Sequence, residues 1–227
     1  MSKAFRERYG ARSRLDDCAV SGPDSEAELF VVEGDSAASA VARVRDQRHQ
    51  AVLPMQGKPI NAARAPWSKV EGHPFFGPLV AALGTGVEGA CDPRRLRYGR
   101  VLVLTDPDAD GIHCGFLVLL FFHRWLRRLL DLGRVEVVRP PWGEVIVGGE
   151  IRLAYSEPEL SAWANRGRES GAVEVRRYRG LAAVDPGLLH ETCVAPATRR
   201  TEVVSSAEVA SMIEVVESLA QQGEGPQ

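Results

Sequence analysis

The stretch Arg100-Val-Leu-Val-Leu-Thr105 constrains this chain more than any other, because it is apolar on both faces and runs straight into Asp106-Pro-Asp108-Ala-Asp110-Gly111. Alternate residues of a strand point to opposite faces, so a strand apolar at every position is buried on both sides, as in a central parallel sheet. A second run of the same type, Glu28-Leu-Phe-Val-Val-Glu33, ends on an acid and is bounded by Gly34. Ala51-Val-Leu53 and Val135-Glu-Val-Val138 are two further strand candidates. Between them lie a helix from Asp35-Ser36, read as its cap, to about Arg48, and a strongly apolar helix over 112–132, stopped by Gly133. Residues 54–78, rich in proline and glycine, read as loop. Strands alternating with helices predict an α/β core with a Rossmann-like parallel sheet flanked by helices. A Gly- and Arg-rich break at 165–172 precedes a small, mostly helical C-terminal segment, with a helix near 186–193. The last helix, 207–220, is amphipathic and acidic.

Composition removes several classes. The chain of 227 residues is 44% apolar and 26% charged, which suits a globular protein that needs no disulfide staples. The longest apolar run, 116–122, falls short of the ~18 residues of a membrane-spanning helix. The N-terminal residues Lys3, Arg6, Arg8, Arg12 and Arg14 have no apolar stretch behind them, so no secretory signal is expected. Cys18, Cys91, Cys114 and Cys193 are scattered, with no C-x-x-C pair, and read as reduced thiols. A cytoplasmic protein is the expectation. The net charge of −2 argues against a wholly basic DNA coat.

In open α/β sheets, ligands bind at the carboxyl ends of the strands. Glu33 and the aspartates 106, 108 and 110 all fall there. In extended geometry the three aspartates project to one side, and carboxylates so crowded either hold protons or share a cation. Oxygen ligands suit Mg2+ or Mn2+. A solvated acidic turn is the bland alternative. An EF-hand reading fails, because the twelfth position is Leu117 rather than a bidentate glutamate. Gly84-Thr-Gly86-Val-Glu-Gly89 fits a dinucleotide fingerprint but follows a helix and opens none, so it fails its context. No G-x-x-x-x-G-K-[ST] loop is present, so no ATP site of that type is expected. His113 stands either beside a metal or phosphate, or as an idle helix-start histidine. Lys58 is either a solvated charge or, facing the acids, a phosphate holder.

In order along the chain, Glu33-Gly34-Asp35-Ser36-Ala37, Leu53-Pro54-Met55-Gln56-Gly57-Lys58, Ala82-Leu83-Gly84-Thr85-Gly86, Leu96-Arg97-Tyr98 and Thr105-Asp106-Pro107-Asp108-Ala109-Asp110-Gly111 resemble the TOPRIM domain of type IIA topoisomerase B subunits, those of DNA gyrase and topoisomerase IV. Arg139-Pro140-Pro141, Arg177-Tyr178-Arg179-Gly180-Leu181, Glu191-Thr192 and 196–200 look like the same subunits' C-terminal tail. The resemblance covers about residues 12–204. It implies a lead-in over 1–27, a TOPRIM domain over 28–142, a tail segment over 143–204 and an acidic helix with a frayed end over 205–227. It further implies that Glu33, Asp106, Asp108 and Asp110 hold Mg2+, with Mn2+ as substitute. Glu33 and Lys58 would be catalytic, and Lys58, Asn61, His113, Arg177 and Arg179 would face DNA. The implied partners are DNA, a gyrase A-type subunit carrying the nucleophilic tyrosine, and a separate ATPase-bearing subunit, since the family's ATPase and transducer domains have no counterpart here. A nucleoid-associated location follows. Departures from the family pattern include Gln56 for a basic residue, Ala38-Ser39 for a Gly-Gly pair, and Ile112 and Gly115 for a Ser and an Arg. They leave two alternatives to a cleavage enzyme: a non-catalytic decoy, regulator or self-protection factor, and a metal-dependent nuclease.

Overall fold

The computed structural model of the chain describes residues 14–169 and 173–223. Strand β1 (Glu28–Val32) leads through helix α1 (Gly34–Val44) to β2 (Gln50–Pro54), which pairs parallel beside it. Helices α2 (Trp67–Glu71) and α3 (Phe76–Leu83) then carry the chain to β3 (Arg100–Leu104), parallel to β1 on its other side. Helices α4 (Ala109–Trp125) and α5 (Arg127–Asp131) lead on to β4 (Val135–Val138), parallel to β3. The expected Rossmann-like parallel sheet is therefore present.

Its burial follows the two-residue period of a strand. Leu29, Val31, Val101 and Val103 pack under α3, α4 and α5, while Phe30, Val32, Leu102 and Leu104 pack under α1 on the opposite face. Both faces are covered, which is why β1 and β3 carry no polar side chain between their first residue and their end.

The helix boundaries differ from those read in the sequence. Helix α1 starts at Gly34, so Asp35 lies in its first turn and does not cap it, and it stops at Val44 rather than near residue 48. The long apolar helix begins at Ala109 and breaks at Leu126, whose φ of −136° and ψ of 31° leave the helical region. Residues 54–78 hold α2 and the start of α3.

Beyond the proline pair, β5 (Gly143–Val147), β6 (Glu150–Ala154), α6 (Glu157–Glu169) and β7 (Val173–Arg177) form an antiparallel sheet of order β6-β5-β7, backed by α6. The sequence pattern pointed to no helix and no strand here, only to a break at 165–172; residues 165–169 of it are the last turn of α6, and 170–172 lie outside the described residues. The turn between β5 and β6 was legible: Gly148 and Gly149 both have positive φ, as a two-residue hairpin requires. After α7 (Pro186–Leu189) and a π-helical turn at His190–Val194, β8 (Thr201–Val203) returns to the main sheet, antiparallel to β4. The chain ends in α8 (Ser206–Gly223), where Ser205 and Glu208 cap each other reciprocally: each backbone N–H donates to the other's side chain.

One buried ion pair ties this last part to the start of the sheet. Arg199 donates to Glu28 at 2.5 and 2.7 Å, and the Gln50 amide donates to the same carboxylate at 2.9 Å. Among the described residues, no helix is long and apolar enough to cross a membrane.

Candidate metal centre at the carboxyl ends of two strands

Val32 and Leu104 are register partners at the ends of β1 and β3. The next residues, Glu33 and Thr105, therefore leave the sheet side by side, with Asp106 one step on. From β1 the chain crosses to β2 on one side, while β3 lies on the other. This is the point of an α/β sheet at which the strand order reverses and a crevice opens.

Glu33 is half-buried. Its Oε1 accepts a hydrogen bond from the Cys114 thiol at 3.7 Å, and its Oε2 is buried with no partner. Burial, then the negative charges of Asp106 and Asp108, push its pKa above the usual carboxylate value, against the opposing pull of Cys114 and the Asp106 amide. Asp106 is raised as well, first by burial and then by Asp108, although the Leu181 N–H donates to its Oδ1 at 2.9 Å. Gly180 packs so close that a Cβ there would sit 3.2 Å from Asp106 Oδ2. The segment read as family tail thus braces the second acid.

Asp108 keeps an extended backbone, at φ −85° and ψ 178°, whereas Asp110 is already helical. Asp108 is the N-cap of α4, and its Oδ1 accepts from the Gly111 N–H at 2.8 Å. Asp110 lies one step into the helix, exposed, with Lys58 Nζ 2.9 Å from its Oδ1. That ammonium holds the Asp110 carboxyl below its ordinary value and is itself raised in return. Gly57, at φ 71°, makes the turn that presents Lys58. Glu33, Lys58, Asp110 and Cys114 surround a cavity of about 260 Å3.

Glu33, Asp106 and Asp108 therefore interact with one another, and Lys58 with Asp110 forms an adjoining lip. His113 is exposed on the same turn as Asp110. Asn61 is exposed and uses its side-chain oxygen on the Ala63 N–H at 3.1 Å. Arg177 is engaged by Glu157 at 2.7 Å, and Arg179 is exposed two residues before Leu181. Sequence reasoning missed Cys114 and the Leu181 amide. Cys114 sits about one turn beyond Asp110 on α4, so helical spacing pointed to it; nothing local announces that an amide 75 residues after Asp106 will reach it.

Among the described residues, no three His, Cys, Asp or Glu side chains gather as a ready-made metal cage. Mg2+ rarely uses one. It keeps several waters and is held by one or two carboxylates together with substrate phosphates. Two mutually repelling acids, one with a buried unpartnered oxygen, fit that mode.

The Toprim domain family matches residues 28–140, which takes in the whole parallel sheet and this site. Curated relatives are similar over most of the chain. The DNA gyrase B subunit of Thermotoga maritima is 36% identical over 187 residues, 82% of this chain and 29% of the relative. That of Thermus thermophilus is 37% identical over 208 residues, 88% of the chain and 32% of the relative. That of Halalkalibacterium halodurans is 34% identical over 217 residues, 96% of the chain and 34% of the relative. The chain spans about a third of the length of these proteins. The chain belongs to the Toprim family, with the B subunits of DNA gyrase as its relatives.

Proposed function

We propose that this chain is the Mg2+-dependent DNA cleavage and rejoining part of a type IIA topoisomerase B subunit, acting with a tyrosine-bearing A-type subunit. The observation that carries the reading is Glu33: an acid at the sheet's switch point, pressed against Asp106 and Asp108, with one oxygen buried and unpartnered. Similarity to gyrase B subunits supports the choice of DNA as substrate.

Glu33, Asp106 and Asp108 would hold Mg2+ or Mn2+, which when bound supplies Lewis-acid stabilisation of charge on the phosphate. In the cleavage step, the partner's tyrosine oxygen forms a bond to phosphorus as the bond from phosphorus to the 3′ oxygen breaks. The tyrosine proton leaves to solvent, and the 3′ oxygen takes a proton. Water gives that proton and takes it back when the DNA is rejoined, Glu33 being ionised once it holds the metal. Lys58 leaves Asp110 for a neighbouring phosphate oxygen, since the two exposed side chains make a weak pair in water. Asp108 and Gly111 fix the start of α4, so that its N-terminal N–H groups face the same phosphate region.

The test is a plasmid cleavage assay with and without an A-type subunit from the same cell, quenched with detergent to trap protein-linked DNA. Cleavage that requires the A subunit and disappears in Glu33→Ala and Asp106→Ala supports the proposal. Nicking by this chain alone with Mn2+ indicates a nuclease instead. An effect on the A subunit that survives both substitutions indicates a decoy.

A further inference from the structure

Asp106 is held by a residue 75 positions further along the chain, on the far side of the β5–β7 sheet in sequence. After β7, Gly180 leads into a 3₁₀ turn at Leu181–Ala183. The Leu181 side chain is 1% exposed and sits in the core with Val32 and Leu104, the register partners that precede Glu33 and Thr105. Its N–H donates to Asp106 Oδ1 at 2.9 Å. The same residue is therefore anchored beside two strand ends by its side chain and reaches one of the acids beyond them with its amide.

Gly180 adds a second constraint. Its φ of −167° and ψ of 153° are extended backbone that any residue adopts, so conformation does not call for glycine here. Space does. A Cβ at 180 would stand 3.2 Å from Asp106 Oδ2 and 3.6 Å from both Cγ and Oδ1. The lack of that one carbon leaves the Oδ2 side of the carboxylate clear.

We infer that Gly180 and Leu181 are positioning residues for the metal. The Leu181 amide holds Oδ1, so that Oδ2 is the oxygen Asp106 offers the cation, and the bare backbone at 180 keeps the approach to Oδ2 open. Hydrogen bonds of this kind set the direction of a ligating carboxylate, and their loss costs about 10–100-fold in metal affinity. The segment matched by the Toprim family, 28–140, then carries the acids but not the groups that aim one of them. This role rests on Asp106 holding the cation of the proposed cleavage site.

The experiment uses the full chain with a duplex oligonucleotide and Mn2+ as the probe, free ion being read by electron paramagnetic resonance. Three variants separate the roles. Gly180→Ala crowds Oδ2. Replacement of Leu181 by leucic acid turns the 180–181 amide into an ester, which removes the N–H and keeps the side chain. Leu181→Ala keeps the N–H and removes the packing. Gly180→Ala and the ester should each bind Mn2+ at least about tenfold more weakly than the parent, and the NMR shift of the Asp106 carboxyl carbon should move in both without metal. Leu181→Ala should lower the melting temperature more than either and the affinity less. Parental affinity in Gly180→Ala or in the ester, or affinity losses that follow the losses in melting temperature across all three, overturns the positioning role alone. A parent chain that binds no Mn2+ beside DNA overturns the cleavage-site reading, and this role with it.

Discussion

Lys58 Nζ lies 2.9 Å from Asp110 Oδ1 across a separation of 52 residues, and the pair closes one lip of the cavity that holds Glu33 and Cys114. Both side chains are largely in water, at 51% and 78% exposure, so the pair is weak and exchangeable. Lys58→Ala should remove one phosphate contact. The slope of log affinity against log salt for duplex DNA then falls by about 0.9, measured by anisotropy over a salt series. An unchanged slope would show that Lys58 is only a surface charge.

Glu33 and Asp106 hold their protons to higher pH in the folded chain than in the unfolded one, because burial and mutual repulsion disfavour the ionised forms. Such groups favour folding below the ordinary carboxylate range and lose that contribution as pH rises through the shifted values. Glu33→Gln removes the penalty. Its melting temperature should exceed that of the parent at pH 7, by about 2–4 °C for each kcal/mol relieved, and the gap should shrink at pH 4. A variant less stable than the parent at pH 7 contradicts this.

The Glu28–Arg199 pair is buried on both sides, with side chains 5% and 2% exposed. Arg199→Met leaves the buried carboxylate only the half-exposed Arg100, at 3.6 Å, as counter-charge and should cost about 3 kcal/mol in denaturant unfolding. Glu28→Gln combined with Arg199→Met should recover most of that loss, since no uncompensated charge remains. Additive losses would mean that packing, not charge, sets the effect.

A Cβ on Gly111 would run into the Asp106 carbonyl oxygen. Gly111→Ala should therefore destabilise the chain by about 1–3 kcal/mol and displace the second acid. Thermal unfolding, together with the NMR shift of the Asp106 carboxyl carbon, reads both effects. Stability and shift at parental values would rule out this close approach.

The sheet was legible because burial on both faces writes itself into uninterrupted runs such as 100–104. The site was legible only in part. Glu33 and Asp106 follow such runs directly, but two-residue spacing suggested an extended chain through Asp108 and Asp110, where the extended backbone ends at Asp108, which caps a helix, and Asp110 turns towards Lys58. Strands β5 and β7 escaped because each is only five residues long; β7 does alternate apolar and charged residues, and Glu144, buried in β5, has its partner Arg176 32 residues further along the chain. The α8 cap was readable as Ser205 followed three residues later by Glu208 and was overlooked. Contacts such as Leu181 to Asp106 depend on the closed fold, and no local pattern encodes them.

Calorimetric titration of the chain with Mg2+ or Mn2+, in the presence of a duplex oligonucleotide, tests the central claim most directly. The predicted result is saturable heat that is absent in Glu33→Ala and Asp106→Ala and retained in Asp110→Asn, with proton release visible as a buffer-dependent enthalpy. Identical heats in the parent and in the Glu33 and Asp106 variants would contradict the account.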